Sequence, residues 1–345
     1  MSLTVAGKQA GPIGFGLLGK DLIQGVATKK VIILLGLTKP PPLPYDEATK
    51  VMKAALERGA NLWNGAEFYG PRTANSLQLL NHYFTTYPED SKKVILSVKG
   101  AFSHMAGPDN SLAGIRKSVD NCLEVLDGKA FLDVFLPGRI DPQVPIEETV
   151  GALAEYIKAG KIGGYGLSEC SAESIRRAHA VHPVSAVEIE LSLFATHTLN
   201  NGVAQTCSEL KIPIIAYSPL SRGFLTGQIN KLDDLSENDS RRLFPRFAPE
   251  AFDHNMKLVK EIEKLTKKTG HTMPQVAIAW VTSQAKKWNI PVIPIPGCTK
   301  VARVKENITE VALNEQDLDE LSQLAGKIPV HGNRYPEGSQ KYTNL

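Results

Sequence analysis

The residues with the most chemistry to offer are a tyrosine and a lysine. Tyr69 follows the run Asn61-Leu62-Trp63-Asn64-Gly65-Ala66-Glu67-Phe68, and Lys99 closes Val94-Ile95-Leu96-Ser97-Val98. Both runs read as strands, so the two side chains belong at the ends of successive strands. A phenol is a weak acid at neutral pH, but a nearby ammonium favours the phenolate and brings the hydroxyl toward the range useful for proton transfer. Such a pair can protonate a carbonyl oxygen. Taken in isolation, a tyrosine and a lysine at these places are more often an interfacial core residue and a solvated strand end. The reading therefore depends on the elements that hold them.

Those elements alternate. Short apolar strands end near Gly16, Asn64, Lys99, Leu136, Ser168, Glu188, Tyr217 and Pro296, with amphipathic helices between most of them. That order predicts an α/β fold, and eight strands predict a closed (β/α)8 TIM barrel in one domain over residues 1–345. Ile115, Val119, Cys122, Leu123 and Leu126 recur at helical spacing, as do Val150, Leu153 and Ile157, and then Leu258, Val259, Ile262 and Leu265. Each helix thus carries one apolar stripe to lay on a sheet. Pro145 and Gly160 bracket the second of these helices and Gly270 ends the third. Asn314 is placed to cap a last one carrying Leu318, Leu321 and Leu324.

A chain of 345 residues with 42% hydrophobic content can bury one large core. The net charge of +3 is spread over mixed signs with no dense basic run, which argues against a nucleic-acid partner. Met1-Ser2-Leu3-Thr4 has neither a charged leader region nor an apolar one, and no apolar run is long enough to span a membrane. The expectation is a cytoplasmic protein, with a nuclear pool left open. Cys122, Cys170, Cys207 and Cys298 lack metal-ligand spacing and read as buried thiols; no metal is expected.

Gly14-Phe15-Gly16-Leu17-Leu18-Gly19 matches the dinucleotide fingerprint G-x-G-x-x-G. A Rossmann unit needs a full helix after the glycines and then a strand ending in an acid. Here about eleven residues separate Gly19 from the apolar run Val31 to Leu35, Gly25 lies among them, and the run continues into Gly36-Leu37-Thr38-Lys39 without an acid. The glycines are better read as letting the first barrel strand approach a ligand closely.

The ordered series Gly14-Phe15-Gly16, Glu67-Phe68-Tyr69-Gly70, Val98-Lys99-Gly100, Asp141-Pro142, Gly166-Leu167-Ser168-Glu169, Ala216-Tyr217-Ser218-Pro219-Leu220 and Ile295-Pro296-Gly297-Cys298-Thr299-Lys300 resembles the aldo-keto reductases over nearly the whole chain, with fungal pyridoxal reductases as the nearest pattern. The resemblance implies an NADPH-dependent reductase of a small-molecule aldehyde, pyridoxal first among them. It implies that Tyr69 is the general acid and Lys99 its activating cation. It also implies that Tyr217 stacks on the nicotinamide, that Ser168 and Glu188 meet the carboxamide, and that Gly16, Ser218 and Leu220 lie along the cofactor. Thr299, Lys300 and Arg303 would take the 2′-phosphate, and Glu306 and Asn307 the adenine. Trp63, Phe68, Gly138 and Arg139 would border the substrate, and Phe102, His104, Met105, Arg334 and Tyr335 would rim the pocket.

The sequence departs from that family at four residues and in one insert. Asn64 stands where the family has an aspartate beside the lysine, and Gly138 where it has a histidine; Gly138 should open space beside Tyr69, which the substrate could fill, while His104 could replace the imidazole. Glu169 and Glu188 stand where amides are usual, and an ionised carboxylate cannot donate to a carboxamide oxygen. Residues 20–36 read as an insert, and 327–345 as a C-terminal tail. These departures leave open a second class of function, a nucleotide-sensing subunit with little turnover, and a reductase of other aldehydes or ketones. Oligomeric state is not legible in the sequence.

Overall fold

A computed structural model describes residues 4–16, 37–38 and 42–345. The insert expected from the sequence, Lys20 to Gly36, lies outside the described residues. Eight parallel strands form one sheet in chain order: β1 (Phe15–Gly16), β2 (Leu62–Ala66), β3 (Ile95–Gly100), β4 (Val134–Pro137), β5 (Gly164–Ser168), β6 (Ala186–Glu190), β7 (Ile214–Tyr217) and β8 (Val292–Pro294). The Gly14 amide donates to the Pro294 carbonyl at 2.9 Å and closes the ring between the first and last strands. A side chain at Gly14 would come within 2.8 Å of Ile295 Cγ2 and 3.0 Å of the Leu62 carbonyl oxygen. This glycine is needed for closure, not for a Rossmann turn, and the predicted barrel is the one observed.

Strand alternation divides the core in two. Leu62, Ile95, Val134, Leu136, Ala186, Ile215 and Ile293 face inward and pack together, as every second residue of a barrel strand must. The other faces meet the surrounding helices. An N-terminal hairpin, Thr4–Val5 with Lys8–Gln9, adds Val5 to the inner cluster. It is tied down by Asn61, whose Oδ1 accepts from the Gly11 amide at 2.7 Å, and by a 2.6 Å ion pair between Lys8 and Asp133.

The same alternation corrects one expectation. Because Leu62 and Asn64 point inward, Trp63 points outward: it is fully buried with Tyr83 and Phe84 of the helix Ser76–Thr86, at ring distances of 4.9 and 5.9 Å, and its indole N–H donates to the Ala60 carbonyl. It is a core residue, not a wall of the substrate pocket.

The helices form where their stripes predicted. Ile146–Lys158 begins directly after Pro145, and Gly160 beyond its end takes φ +68°; Pro249–Thr269 ends on Gly270 at φ +71°. Asn314 caps Glu315–Lys327 by accepting from the Asp317 amide at 2.8 Å.

Candidate active site

Register brings the chemistry to one rim. Gly16 pairs with Asn64, Lys99 with Leu136, Ser168 with Glu188 and Glu190 with Tyr217, so these positions gather at the C-terminal end of the barrel, where barrel enzymes carry their sites. A cavity there is lined by Phe68, Tyr69, Lys99, Phe102, His104, Gly138, Arg139, Ser168, Glu188 and Tyr217 from the barrel, and by Tyr335, Ser339 and Tyr342 from the tail.

At its floor Lys99 is buried and forms an ion pair with Glu188. Lys99 also donates to Asn64 Oδ1 at 2.9 Å, while Asn64 Nδ2 donates to Glu188 Oε2 at 2.7 Å. The three side chains close a small ring across β2, β3 and β6. Burial pulls the Lys99 ammonium below its ordinary range; Glu188 opposes this by charge and hydrogen bond, and Arg139 adds to it. The ammonium lies 5.1 Å from the centre of the Tyr69 ring. Tyr69 is itself fixed by its backbone, whose carbonyl accepts from Thr38 Oγ1 and from the Ser76 amide, both at 2.9 Å.

Glu188 therefore has different partners from those expected. Both its oxygens are engaged inside the protein, on Lys99 and Asn64, rather than left to meet a carboxamide. Ser168 does line the cavity, with its Oγ 3.5 Å from an Arg139 nitrogen.

Gly138 lines the cavity with Tyr69, but the direction its side chain would take is filled. A Cβ there would lie 2.8 Å from Phe102 Cβ and 3.0 Å from Phe68 Cζ, because these two rings pack over the glycine and against each other at 5.2 Å. His104 completes this wall, 5.2 Å from each ring. Burial lowers its pKa to about 4, so it is a neutral imidazole at physiological pH, and its Nε2 is buried with no hydrogen-bond partner. Met105, expected at the rim, is 84% exposed and does not line the cavity.

The tail forms the opposite wall. Tyr335 Oη lies 2.6 Å from Tyr217 Oη, and the Tyr217 hydroxyl donates to Glu169 Oε1 at 2.8 Å. Arg334 pairs with Glu169 at 2.6 Å and with Glu190 at 3.2 Å. Arg222 and Arg246 also approach Glu190, at 3.7 and 3.5 Å. Glu169 adopts a left-handed backbone (φ 53°), held by hydrogen bonds from its own amide to the Glu188 carbonyl and from the Asn344 amide to its carbonyl. Its carboxyl is lowered to about 2: burial pushes it up, but Arg334 and then Arg139 more than offset this.

Beyond β7 the chain turns sharply: Ser218, Ser221, Arg222 and Gly223 take left-handed backbone around Leu220 (φ −95°, ψ 15°), and the Ser221 and Gly223 amides donate to the Ser218 and Leu220 carbonyls at 2.9 Å, which holds the turn. Thr299 and Lys300 are exposed just before the helix Val301–Ile308; one turn on, Arg303 is half-buried and paired with Glu306, and Asn307 is buried. These five residues stand outside the cavity. Tyr217 at the cavity and the exposed cation Lys300 just before a helix are groups of the kind that suit the flat ring and a phosphate of a dinucleotide. The fit is altered at the carboxamide, where Glu169 and Glu188 are already engaged.

Two parts of the site escaped the sequence reading. One is the Glu190 cluster with its three arginines. The signal was present in Ala186-Val187-Glu188-Ile189-Glu190, where two glutamates two apart on an apolar strand must both face inward. The other is the contribution of Ser339 and Tyr342, which carry no motif.

The sequence profile described as "Aldo/keto reductase family" matches residues 33–326. "Probable pyridoxal reductase 2" of Schizosaccharomyces pombe is 40% identical over 96% of each chain. "Aldo-keto reductase yakc [NADP(+)]" of the same organism is 33% identical over 95% of this chain and 92% of its own. Among solved structures, the glycerol dehydrogenase AKR11B4 of Gluconobacter oxydans superposes with a TM-score of 0.75, at 22% identity and over 93% of each chain.

Proposed function

The chain belongs to the aldo/keto reductase family, and from that premise we propose that it is an NADPH-dependent aldehyde reductase whose substrate is pyridoxal, released as pyridoxine. The observation that carries this reading is Tyr69 beside a buried lysine that holds a carboxylate partner. NADPH, when bound, supplies the hydride for the carbonyl carbon. Tyr69 gives its hydroxyl proton to the carbonyl oxygen as the C=O π bond breaks, leaving the alcohol and a phenolate. The Lys99 ammonium stabilises that phenolate, and a proton from solvent restores it. Tyr217 and Ser168 would hold the nicotinamide end, the turn after β7 would lie along the pyrophosphate, and Lys300 with Arg303 would take the 2′-phosphate.

Three features favour pyridoxal. Phe68 and Phe102 give a flat ring an apolar wall. The cation of Arg139 stands at the same cavity, suited to the phenolate of a pyridine aldehyde. The relative that is 40% identical carries the name of a probable pyridoxal reductase. The phenol beside the aldehyde can also polarise the carbonyl internally, a task for which Gly138 offers no side chain.

The test follows NADPH absorbance with pyridoxal for the native chain and for Tyr69→Phe. The variant should lose about 10²–10⁴-fold in kcat, the range for a general acid, with its NADPH affinity unchanged. Undiminished turnover in Tyr69→Phe refutes the mechanism. Tight NADPH binding with no reduction across an aldehyde panel would instead favour a nucleotide-sensing subunit.

A further inference from the structure

Lys99 is a buried ammonium, and a buried ammonium without a contacting carboxylate tends to lose its proton. No charge stands on β2, since Asn64 is an amide. Among the described residues the carboxylate that touches Lys99 is Glu188, two strands beyond β4 on β6. Asn64 joins the two, accepting from Lys99 at 2.9 Å and donating to Glu188 at 2.7 Å. An aspartate at 64 could not donate that second bond. It would put two carboxylates within hydrogen-bond distance, where they share one proton instead of both ionising. Asn64 and Glu188 are thus a matched set in which one supplies the charge and the other the bridge.

We propose that Glu188 is a positioning residue for proton donation: it keeps Lys99 in the ammonium form that Tyr69 requires, doing from β6 what a carboxylate at position 64 would do from β2. This rests on the reductase reading for its consequence in turnover, but not for the pairing itself. The other groups facing Lys99 do not substitute for Glu188. Arg139, from the loop after β4, is a cation and opposes the ammonium. Tyr69, His104, Tyr217, Tyr335 and Tyr342 line the same cavity and carry no carboxylate.

The sign follows. Without Glu188 the Lys99 ammonium deprotonates at lower pH, and above that point Tyr69 loses the neighbour that makes it an adequate acid. Glu188→Gln should therefore move the alkaline fall of reductive kcat/KM down by roughly 1–3 pH units, the range for loss of an adjacent opposite charge. The exchange variant Asn64→Asp/Glu188→Gln, which returns one carboxylate and one amide to the same ring, should bring the fall back toward its native pH. Asn64→Asp alone, with two carboxylates, should not improve on the native protein.

Lys99 is followed independently of turnover by the pH titration of its ¹³Cε resonance in lysine-labelled protein without cofactor, assigned by its loss in Lys99→Met. The titration should move down in Glu188→Gln and return in the exchange variant. An unmoved titration in Glu188→Gln, or an exchange variant no better than the single one, overturns the proposal. If no form reduces any aldehyde but the titrations move as expected, the pairing stands and the reductase reading fails.

Discussion

Arg334→Ala removes the guanidinium that lies 2.6 Å from Glu169 and 3.2 Å from Glu190. Glu190 keeps Arg222 and Arg246, so the loss falls mainly on Glu169, which is buried and retains hydrogen bonds from the Tyr217 hydroxyl and the Glu190 amide. In the native protein burial raises the Glu169 carboxyl, and Arg334 first, with Arg139 after it, more than offsets this, bringing it from 4.5 to about 2. At about 1.36 kcal/mol per pH unit, that drop amounts to roughly 3 kcal/mol, and breaking a buried ion pair costs a similar 3–5 kcal/mol. Because the folded value lies below the unfolded one, this stability is present above about pH 4.5 and is lost as the pH falls toward 2. Urea unfolding should show Arg334→Ala less stable by roughly 3 kcal/mol at neutral pH, with the gap narrowing in acid. A deficit under about 1 kcal/mol, or one that does not change with pH, would refute the account of the tail as electrostatically clamped. Arg334 also precedes Tyr335, whose hydroxyl meets Tyr217, so the variant should raise the KM for aldehyde and expose the tail to limited proteolysis.

Trp63→Ala should cost about 3–5 kcal/mol of stability, as for a large buried aromatic, yet leave the KM for pyridoxal nearly unchanged in the protein that remains folded; a selective rise in KM would return Trp63 to the pocket. Gly138→Ala forces Phe68 and Phe102 to give way to a new Cβ, and overpacking of that kind costs about 1–3 kcal/mol, so thermal unfolding should shift down and pyridoxal turnover should fall. Lys300→Ala should weaken NADPH binding roughly fivefold, in keeping with about 1 kcal/mol for an exposed charge contact, while leaving NADH binding unchanged. Equal loss for both cofactors would show that Lys300 does not read the 2′-phosphate.

The barrel was legible because each of its signals is local. Eight apolar runs, the stripe of Val150, Leu153 and Ile157, and the stops at Gly160 and Gly270 all lie within a few residues of what they specify. Tyr69, Lys99, Ser168 and Tyr217 were legible as a group because strand ends in a barrel converge whatever their separation in sequence. Trp63 was misplaced by ignoring the period of two. Its neighbours Leu62 and Asn64 both had reasons to face inward, which left the indole no choice but the outer layer. Gly138 is legible only in part: it does border the cavity, but the space its side chain would take is filled by Phe68 and Phe102 from two other loops. No spacing in the sequence encodes that packing.

Charge was the hardest property to read, since it belongs to neighbourhoods and not to positions. Counted along the chain, Asn64 looks like the loss of a carboxylate beside Lys99. Counted in space, the carboxylate is present on β6. The same view joins Glu169 and Glu190 to Arg334, Arg222 and Arg246, with Arg139 close to Glu169. Arg246 bears the most of this crowding: burial, with Arg222 and Arg334 adding to it, lowers its guanidinium to about 10 in spite of Glu190. Buried charges of one sign are costly unless opposite charge stands beside them, so Glu190, which meets three arginines at once, holds together groups that lie far apart in the sequence.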